Sequence, residues 1–253
     1  MLKAILFDLD DTLLDWSGFN QEWPSFERQY LRRVFDYVGT VTIPLLDFDS
    51  FVTAFHSRVR EAWRAGRGTL IAPNIGMEMV AVAEAEGAPK GALTVEGCLA
   101  AYDWHAVPGT KLFPEVPEAM ALIREQGVKT AIVTNAAQPM YLRDVEIEEH
   151  GLLTYFPDCR VSAADAGYLK PHPSIFQLAL DQLGVTAEEA VFVGDNPVAD
   201  IAGAQAVGMQ AVLRITKPVP PMLSGLIIPD AAVNTMDELP HILDEWFPDW
   251  RQN

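Results

Sequence analysis

The chain has 253 residues, 49% of them hydrophobic and 21% charged, with a formal net charge of −17 at pH 7. That length accommodates one α/β domain with a buried core plus a smaller accessory domain. The acidic balance argues against nucleic acid or an anionic membrane as partner, because both demand a positive footprint. No basic, apolar leader opens the chain and no apolar run reaches transmembrane length, so a cytoplasmic protein is expected. Cys98 and Cys159 are far apart, with no C-x-x-C pair. They are expected to be buried thiols rather than a disulfide or a zinc site.

Lys3 to Phe7 is a short apolar run, the pattern of a strand buried in a parallel sheet. It ends in Asp8-Leu9-Asp10-Asp11-Thr12. Residues i and i+2 of a strand point the same way, so Asp8 and Asp10 can share one pocket. A solvated turn closing the strand would also place acids here.

The pattern then turns helical. Phe19–Gly39, Asp49–Gly66, Asn74–Gly87 and Lys90–His105 read as helices, with Asp49 as the N-cap of the second and glycines closing several. Alternating strands and helices follow Val107-Pro108-Gly109. Strands are expected at Lys129–Val133, Cys159–Ser162, Ala190–Val193, Ala211–Arg214 and Ala231–Val233. Helices are expected at Glu115–Gln126, Pro139–His150, Pro173–Leu183, Val198–Val207 and Met236–Trp246. This alternation predicts an α/β fold with a doubly wound parallel sheet, carrying an inserted α-helical domain. The expected boundaries are 1–15 with 108–253 for the α/β core and 16–107 for the helical insert. The Pro-rich stretch Lys217–Pro229 reads as a loop.

Ligands in open α/β sheets sit beyond the carboxyl ends of the strands. Three further strand ends or loops carry polar residues there. Thr134-Asn135 offers a hydroxyl and backbone N–H groups suited to phosphate oxygens, although a turn or helix cap would use them as well. Lys170 precedes a helix. Gly194-Asp195-Asn196-Pro197 follows a strand, with Asp200 beyond it; Asn196 suits an N-cap and Pro197 a first turn. Asp195 has no such structural explanation. A metal ligand facing Asp8 and Asp10 would account for all three acids, and oxygen-only donors point to Mg²⁺.

Taken in order, Asp8-Leu9-Asp10-Asp11-Thr12, Thr134-Asn135, Lys170, and Gly194-Asp195-Asn196 with Asp200 resemble the four motifs of the haloacid dehalogenase superfamily. The helical segment after the first motif resembles the subclass I cap. The resemblance implies a Rossmann-like core and a phosphatase-like activity. It makes Asp8 the nucleophile that forms an aspartyl-phosphate and Asp10 the general acid and base. Thr134, Asn135 and Lys170 would bind the substrate phosphate. Asp8, Asp10 (through its backbone carbonyl) and Asp195 would hold Mg²⁺, with Thr12, Asn196 and Asp200 in support. The implied partner is a small phosphorylated metabolite, of the kind a phosphoglycolate phosphatase handles; the oligomeric state is not legible. The carbon–halogen branch lacks the second acid of the first motif, which this chain has as Asp10. A sugar-phosphate mutase of the β-phosphoglucomutase type keeps every core residue and stays open. A non-catalytic interaction module would have no need of the four motifs together.

Within the insert, an excess of arginines (Arg28, Arg32, Arg33, Arg58, Arg60, Arg64 and Arg67) either reaches the cleft or pairs with neighbouring acids such as Glu22, Glu27, Asp36 and Glu61. Trp16, Phe19 and Trp23 either wall a pocket or form a core cluster. The crossings Leu14–Gly18 and Ala106–Gly109 are expected hinges.

Overall fold

Ala4–Phe7 (β1) lies fully buried at the middle of the sheet. The computed structural model describes residues 1–45, 47–218 and 226–252. After β1 come β2 (Leu14–Asp15) and four helices, α1 (Trp23–Val41), α2 (Phe48–Thr69), α3 (Ile75–Ala85) and α4 (Val95–Tyr102). The chain continues through β3 (Lys111–Leu112), α5 (Val116–Glu125), β4 (Lys129–Thr134), α6 (Met140–Glu149), β5 (Cys159–Ser162) and α7 (Ala163–Ala166). It closes with α8 (Pro173–Leu183), β6 (Ala190–Gly194), α9 (Gly203–Ala206), β7 (Gln210–Arg214), β8 (Ala231–Val233) and α10 (Leu239–Trp246).

Six strands form one parallel sheet in the order β5-β4-β1-β6-β7-β8, the doubly wound α/β arrangement that the alternation predicts. Successive residues of β1 face opposite sides, and each side is covered by helices. Ile5 and Phe7 pack with Val116 and Met120 of α5 and Leu239 of α10, while Ala4 and Leu6 pack with Ile175, Phe176 and Leu180 of α8. Helices α1–α4 bury their own cluster, including Phe51, Phe55, Met79 and Leu99, all at most 1% exposed. Each such side chain contributes about 1.5–3 kcal/mol on leaving water, which gives the insert a core of its own.

Several local expectations change. The N-cap of α2 is Asp47, whose side chain accepts from Asp49 N; Asp49 sits inside the first turn. Gly66 lies within α2, where an added Cβ would fall 2.8 Å from Ile71 O, and it does not end the helix. The expected fourth helix shortens to Val95–Tyr102 because Thr94 caps it, accepting from Gly97 N. At the two crossings, the expected hinges, the strands entering and leaving the insert run side by side. Leu14 pairs with Leu112 and Asp15 with Lys111 in a two-stranded antiparallel ladder. Just beyond, Gly18 and Gly109 are in backbone contact; a Cβ on either would fall 2.3 Å from the other's carbonyl oxygen. Expected loop residues 219–225 lie outside the described residues. Among the described residues, no helix is long and apolar enough to cross a membrane.

Candidate active site

Strand register alone brings the motifs to one rim. Phe7 of β1 is level with Ile132 of β4 and Val193 of β6, so Asp8, Thr134 and Gly194-Asp195 emerge together at the carboxyl end of the three central strands. Asp8 N still donates to Val193 O at 2.9 Å, which holds the acid at the sheet edge. Asp11 then adopts a left-handed conformation (φ 60°) and the chain reverses, with Asp11 N donating to Leu14 O. Thr12 supports the turn from within: its hydroxyl donates to Asp8 Oδ2 at 3.2 Å.

Asp8, Asp10, Thr134, Asn135, Lys170, Asp195, Asn196 and Asp200 all line one cavity of about 150 Å³. Lys170 is 3% exposed, and its Nζ stands 2.7 Å from both Asp8 Oδ1 and Asp200 Oδ1. These two acids hold the lysine pKa above its ordinary value despite burial. Desolvation pushes Asp8 up to about 8; Lys170 opposes the shift, while Asp200 and Asp10 add to it. Asp195 rises to about 7, first through burial and then through Asp200 and Asp11. Burial and mutual repulsion, only partly offset by one lysine, favour protons on these carboxylates that a cation would displace.

Carboxylate oxygens of Asp8, Asp195 and Asp200 lie within 4.8 Å of one another. Asp200 is 1% exposed, and its Oδ1 has no hydrogen-bond partner among the described residues, since Lys170 approaches it out of hydrogen-bonding direction. Three hard carboxylates converging in a site this enclosed fit a divalent cation such as Mg²⁺. Asp200, expected near the cation site, supplies one oxygen of this trio. Gly194 explains why it fits: a Cβ there would fall 2.4 Å from Asp200 Oδ2. Asn196 caps a single π-helical turn (Pro197–Ala202), accepting from Val198 N and Ala199 N at 3.0 Å, and its own N–H donates to Asp200 Oδ2. That turn, in place of the regular helix expected over Val198–Val207, presents Asp200 to the site.

The side chains of Asn135 and Asp10 have partners of their own beside the site. The side chain of Asn135 grips the main chain of Lys170, accepting from its N–H at 2.7 Å and donating to its carbonyl at 3.1 Å. It therefore positions the lysine, and its main-chain N–H can still serve a phosphate as the sequence suggests. The carboxylate of Asp10 is not part of the acidic trio. Its Oδ1 accepts from Trp16 Nε1 at 2.8 Å and from Arg143 at 2.7 Å, which leaves the carbonyl as its means of meeting a cation.

Arg143 escaped the sequence reading. It is 3% exposed and also bridges to Glu146, itself fully buried and accepting from Trp104 Nε1 at 3.1 Å. The signal was present: Met140, Arg143 and Ile147 share one helical face, so a charged residue stood at an apolar position. Above Asp10 a second cavity of about 230 Å³ opens between the insert and the sheet, lined by Trp16, Trp23, Glu27, Trp63 and Arg143 among others. Trp16 and Trp23 thus wall a pocket and also pack against the insert's core, with Phe19 beside them. Four of the arginines are held by surface acids, Arg28, Arg32, Arg33 and Arg58 pairing with Asp49, Asp36, Asp103 and Glu78, while Arg67 lines a further cavity with Asn135, Lys170 and Asn196. Only Asp36 among those partners was expected.

A helical insert roofing an acid-and-lysine cluster at the C-terminal rim of a parallel sheet defines a capped α/β hydrolase. The chain belongs to the haloacid dehalogenase-like hydrolases, whose family model matches residues 2–208. It is 32% identical over 218 residues to a ribulose-1,5-bisphosphate 5-phosphatase from Halopiger xanaduensis, covering 84% of each chain. It is 30% identical over 215 residues to a glyceraldehyde 3-phosphate phosphatase from Methanopyrus kandleri, covering 84% of this chain and 83% of that one. Among solved structures, a HAD phosphatase from Thermococcus onnurineus aligns over 96% of this chain and 98% of its own, with TM-score 0.57 and 25% identity. A 2-haloacid dehalogenase from Pseudomonas syringae pv. Tomato aligns over 97% and 100%, with TM-score 0.62 and 24% identity, a likeness of fold alone.

Proposed function

We propose that the chain is a Mg²⁺-dependent hydrolase of small phosphomonoesters that works through an aspartyl-phosphate on Asp8. The observation that carries this reading is the convergence of Asp8, Asp195 and Asp200 around one point with Lys170 2.7 Å from two of them. The phosphatases among its relatives support the same reaction class. Asp10 and the metal-suited trio weigh against carbon–halogen chemistry.

An Asp8 carboxylate oxygen attacks phosphorus, and the bond from phosphorus to the leaving alcohol breaks. Asp10, in its protonated form, gives that alcohol its proton. Asp10 then takes a proton from the water that attacks the aspartyl-phosphate, and inorganic phosphate leaves with Asp8 restored. Lys170 and the Thr134 hydroxyl bind the equatorial oxygens and offset charge developing there. When bound, Mg²⁺ held by Asp8, Asp195, Asp200 and the Asp10 carbonyl supplies the positive charge that lets an anionic nucleophile meet an anionic phosphoryl group. Asn135 keeps the lysine aimed and Thr12 fixes the Asp8 rotamer, so both raise turnover by positioning.

The test is p-nitrophenyl phosphate hydrolysis with Mg²⁺, with excess chelator, and in Asp8→Asn. Chelator should abolish turnover, and the substitution should lower it by about a thousandfold or more. Wild-type rates in either arm would sink the reading. Isomerisation of a sugar phosphate without phosphate release would instead make the chain a mutase.

A further inference from the structure

Resting on that hydrolase reading, we propose that the cavity above Asp10 selects a phosphomonoester whose leaving alcohol carries a compact ammonium group, primary or quaternary. Two helices build the roof with residues one turn apart: Trp23 and Glu27 on α1, Val59 and Trp63 on α2. Trp16 completes the aromatic wall, 6.2 Å centroid to centroid from Trp23. The N–H groups of both these indoles are already committed to acids, Trp16 to Asp10 and Trp23 to Glu27 at 3.1 Å. What they offer a ligand is therefore π surface, which attracts cations.

The charges lining this cavity point the same way. Glu27 is 5% exposed, and it accepts from Tyr102 Oη at 2.7 Å as well as from Trp23, with His56 Nε2 at 3.0 Å. Burying a carboxylate is expensive, and here both oxygens are used, Oε1 by Tyr102 and Oε2 by Trp23 and His56, so the donors of three elements call for an acid in the cavity wall. Arg143 is the one cation lining the cavity among the described residues; its two terminal nitrogens are engaged by Asp10 and Glu146, and its Nε is buried without a partner. A second phosphate or a carboxylate on the substrate would meet Glu27 and Asp10 with no free cation. An ammonium would meet indole faces and an acid. The cavity shares Asp10 and Asn135 with the acidic site, so a leaving group seated there stays bonded to a phosphoryl group beside Asp8. Its volume of about 230 Å³ suits an alcohol of a few heavy atoms.

The experiment compares phosphocholine with 3,3-dimethylbutyl phosphate, which has the same shape without the charge, by kcat/KM in one enzyme preparation. The wild type should prefer the charged ester by about tenfold, mainly through KM. Glu27→Gln and, separately, Trp63→Leu should each bring that ratio towards one. A ratio measured within one sample is insensitive to the fraction folded. Equal rates, preference for the neutral ester, turnover of neither, or an unchanged ratio in both variants would overturn the proposal. Hydrolysis of p-nitrophenyl phosphate in the same preparation separates the two readings. If it proceeds, the hydrolase stands and only the ammonium pocket falls; if it is absent, both fall together.

Discussion

Gly194→Ala is the sharpest probe of how the acidic trio is assembled. A Cβ at this position would lie 2.4 Å from Asp200 Cγ, 2.4 Å from Oδ2 and 2.6 Å from Cβ. Ordinary contact begins about 1 Å farther out, and the obstructing atoms are the body of a short side chain with no loose end to swing aside. Asp200 is also tethered, by Asn196 N at 2.9 Å and Lys170 Nζ at 2.7 Å. It must therefore shift by about 1 Å and carry its oxygens off the shared point. Overpacking of this kind costs about 1–3 kcal/mol of stability, and a 1 Å misplacement of a positioning group costs about a hundredfold in rate.

The assay pairs kcat/KM on p-nitrophenyl phosphate with Mg²⁺ affinity by titration calorimetry and with a denaturant midpoint. All three should fall in Gly194→Ala. Gly68→Ala is the control, because Gly68 is exposed near the end of α2 with nothing within 4 Å of an added Cβ. That substitution should be neutral or stabilising by up to about 1 kcal/mol, with activity intact. Unchanged metal affinity and turnover in Gly194→Ala would refute the claim that Asp200 is held at the cation site by the absence of a side chain on Gly194.

Three further outcomes follow from the same geometry. Asp8 and Asp195 are raised to about 8 and about 7, so the folded metal-free chain holds protons that the unfolded chain releases from about pH 4 upwards. Stability of the metal-free chain should therefore fall as pH rises from about 4 to 8. Saturating Mg²⁺ should remove that fall, and melting curves with chelator or Mg²⁺ across the range decide it. Arg143→Met should destabilise the fold by about 3–5 kcal/mol, because it strands the fully buried Glu146. Burial already raises the Glu146 pKa, so the deficit should shrink as pH falls and that acid takes up a proton; urea midpoints in acid and at pH 8 check it. Gly109→Ala, at φ +91° and with a Cβ 2.3 Å from Gly18 O, should separate the two crossings and lower both stability and kcat, measured by melting and steady-state kinetics.

The parallel sheet was legible because its signal is local: apolar runs of four to six residues, each closed by a polar residue or glycine. The acids at the strand ends were legible for a different reason. A buried strand has no structural use for Asp8 or Asp195, and residues that packing cannot explain stand out in a sequence. What escaped was held by contacts between segments far apart in the chain. The N-cap of α2 moved from Asp49 to Asp47 because two acids compete for one turn, and propensity does not rank them. The ladder joining Leu14–Asp15 to Lys111–Leu112 is two residues per strand, too short for any alternation to register.

The cavity above Asp10 shows why that boundary matters for function. Its chemistry depends on three acids, two buried and Asp10 part-exposed, meeting their partners across the chain: Asp10 with Arg143, Glu27 with Tyr102, and Glu146 with Trp104. Each of those acids sits in an otherwise ordinary helix or turn, where an exposed charge would be the default expectation. The pairs also bind the insert to the sheet, since Trp104 follows α4 while Glu146 belongs to α6. The leaving-group pocket and the docking of the roof therefore share atoms. A substitution that alters which ester is accepted will also alter how firmly the roof closes, so specificity and closure in this enzyme should vary together.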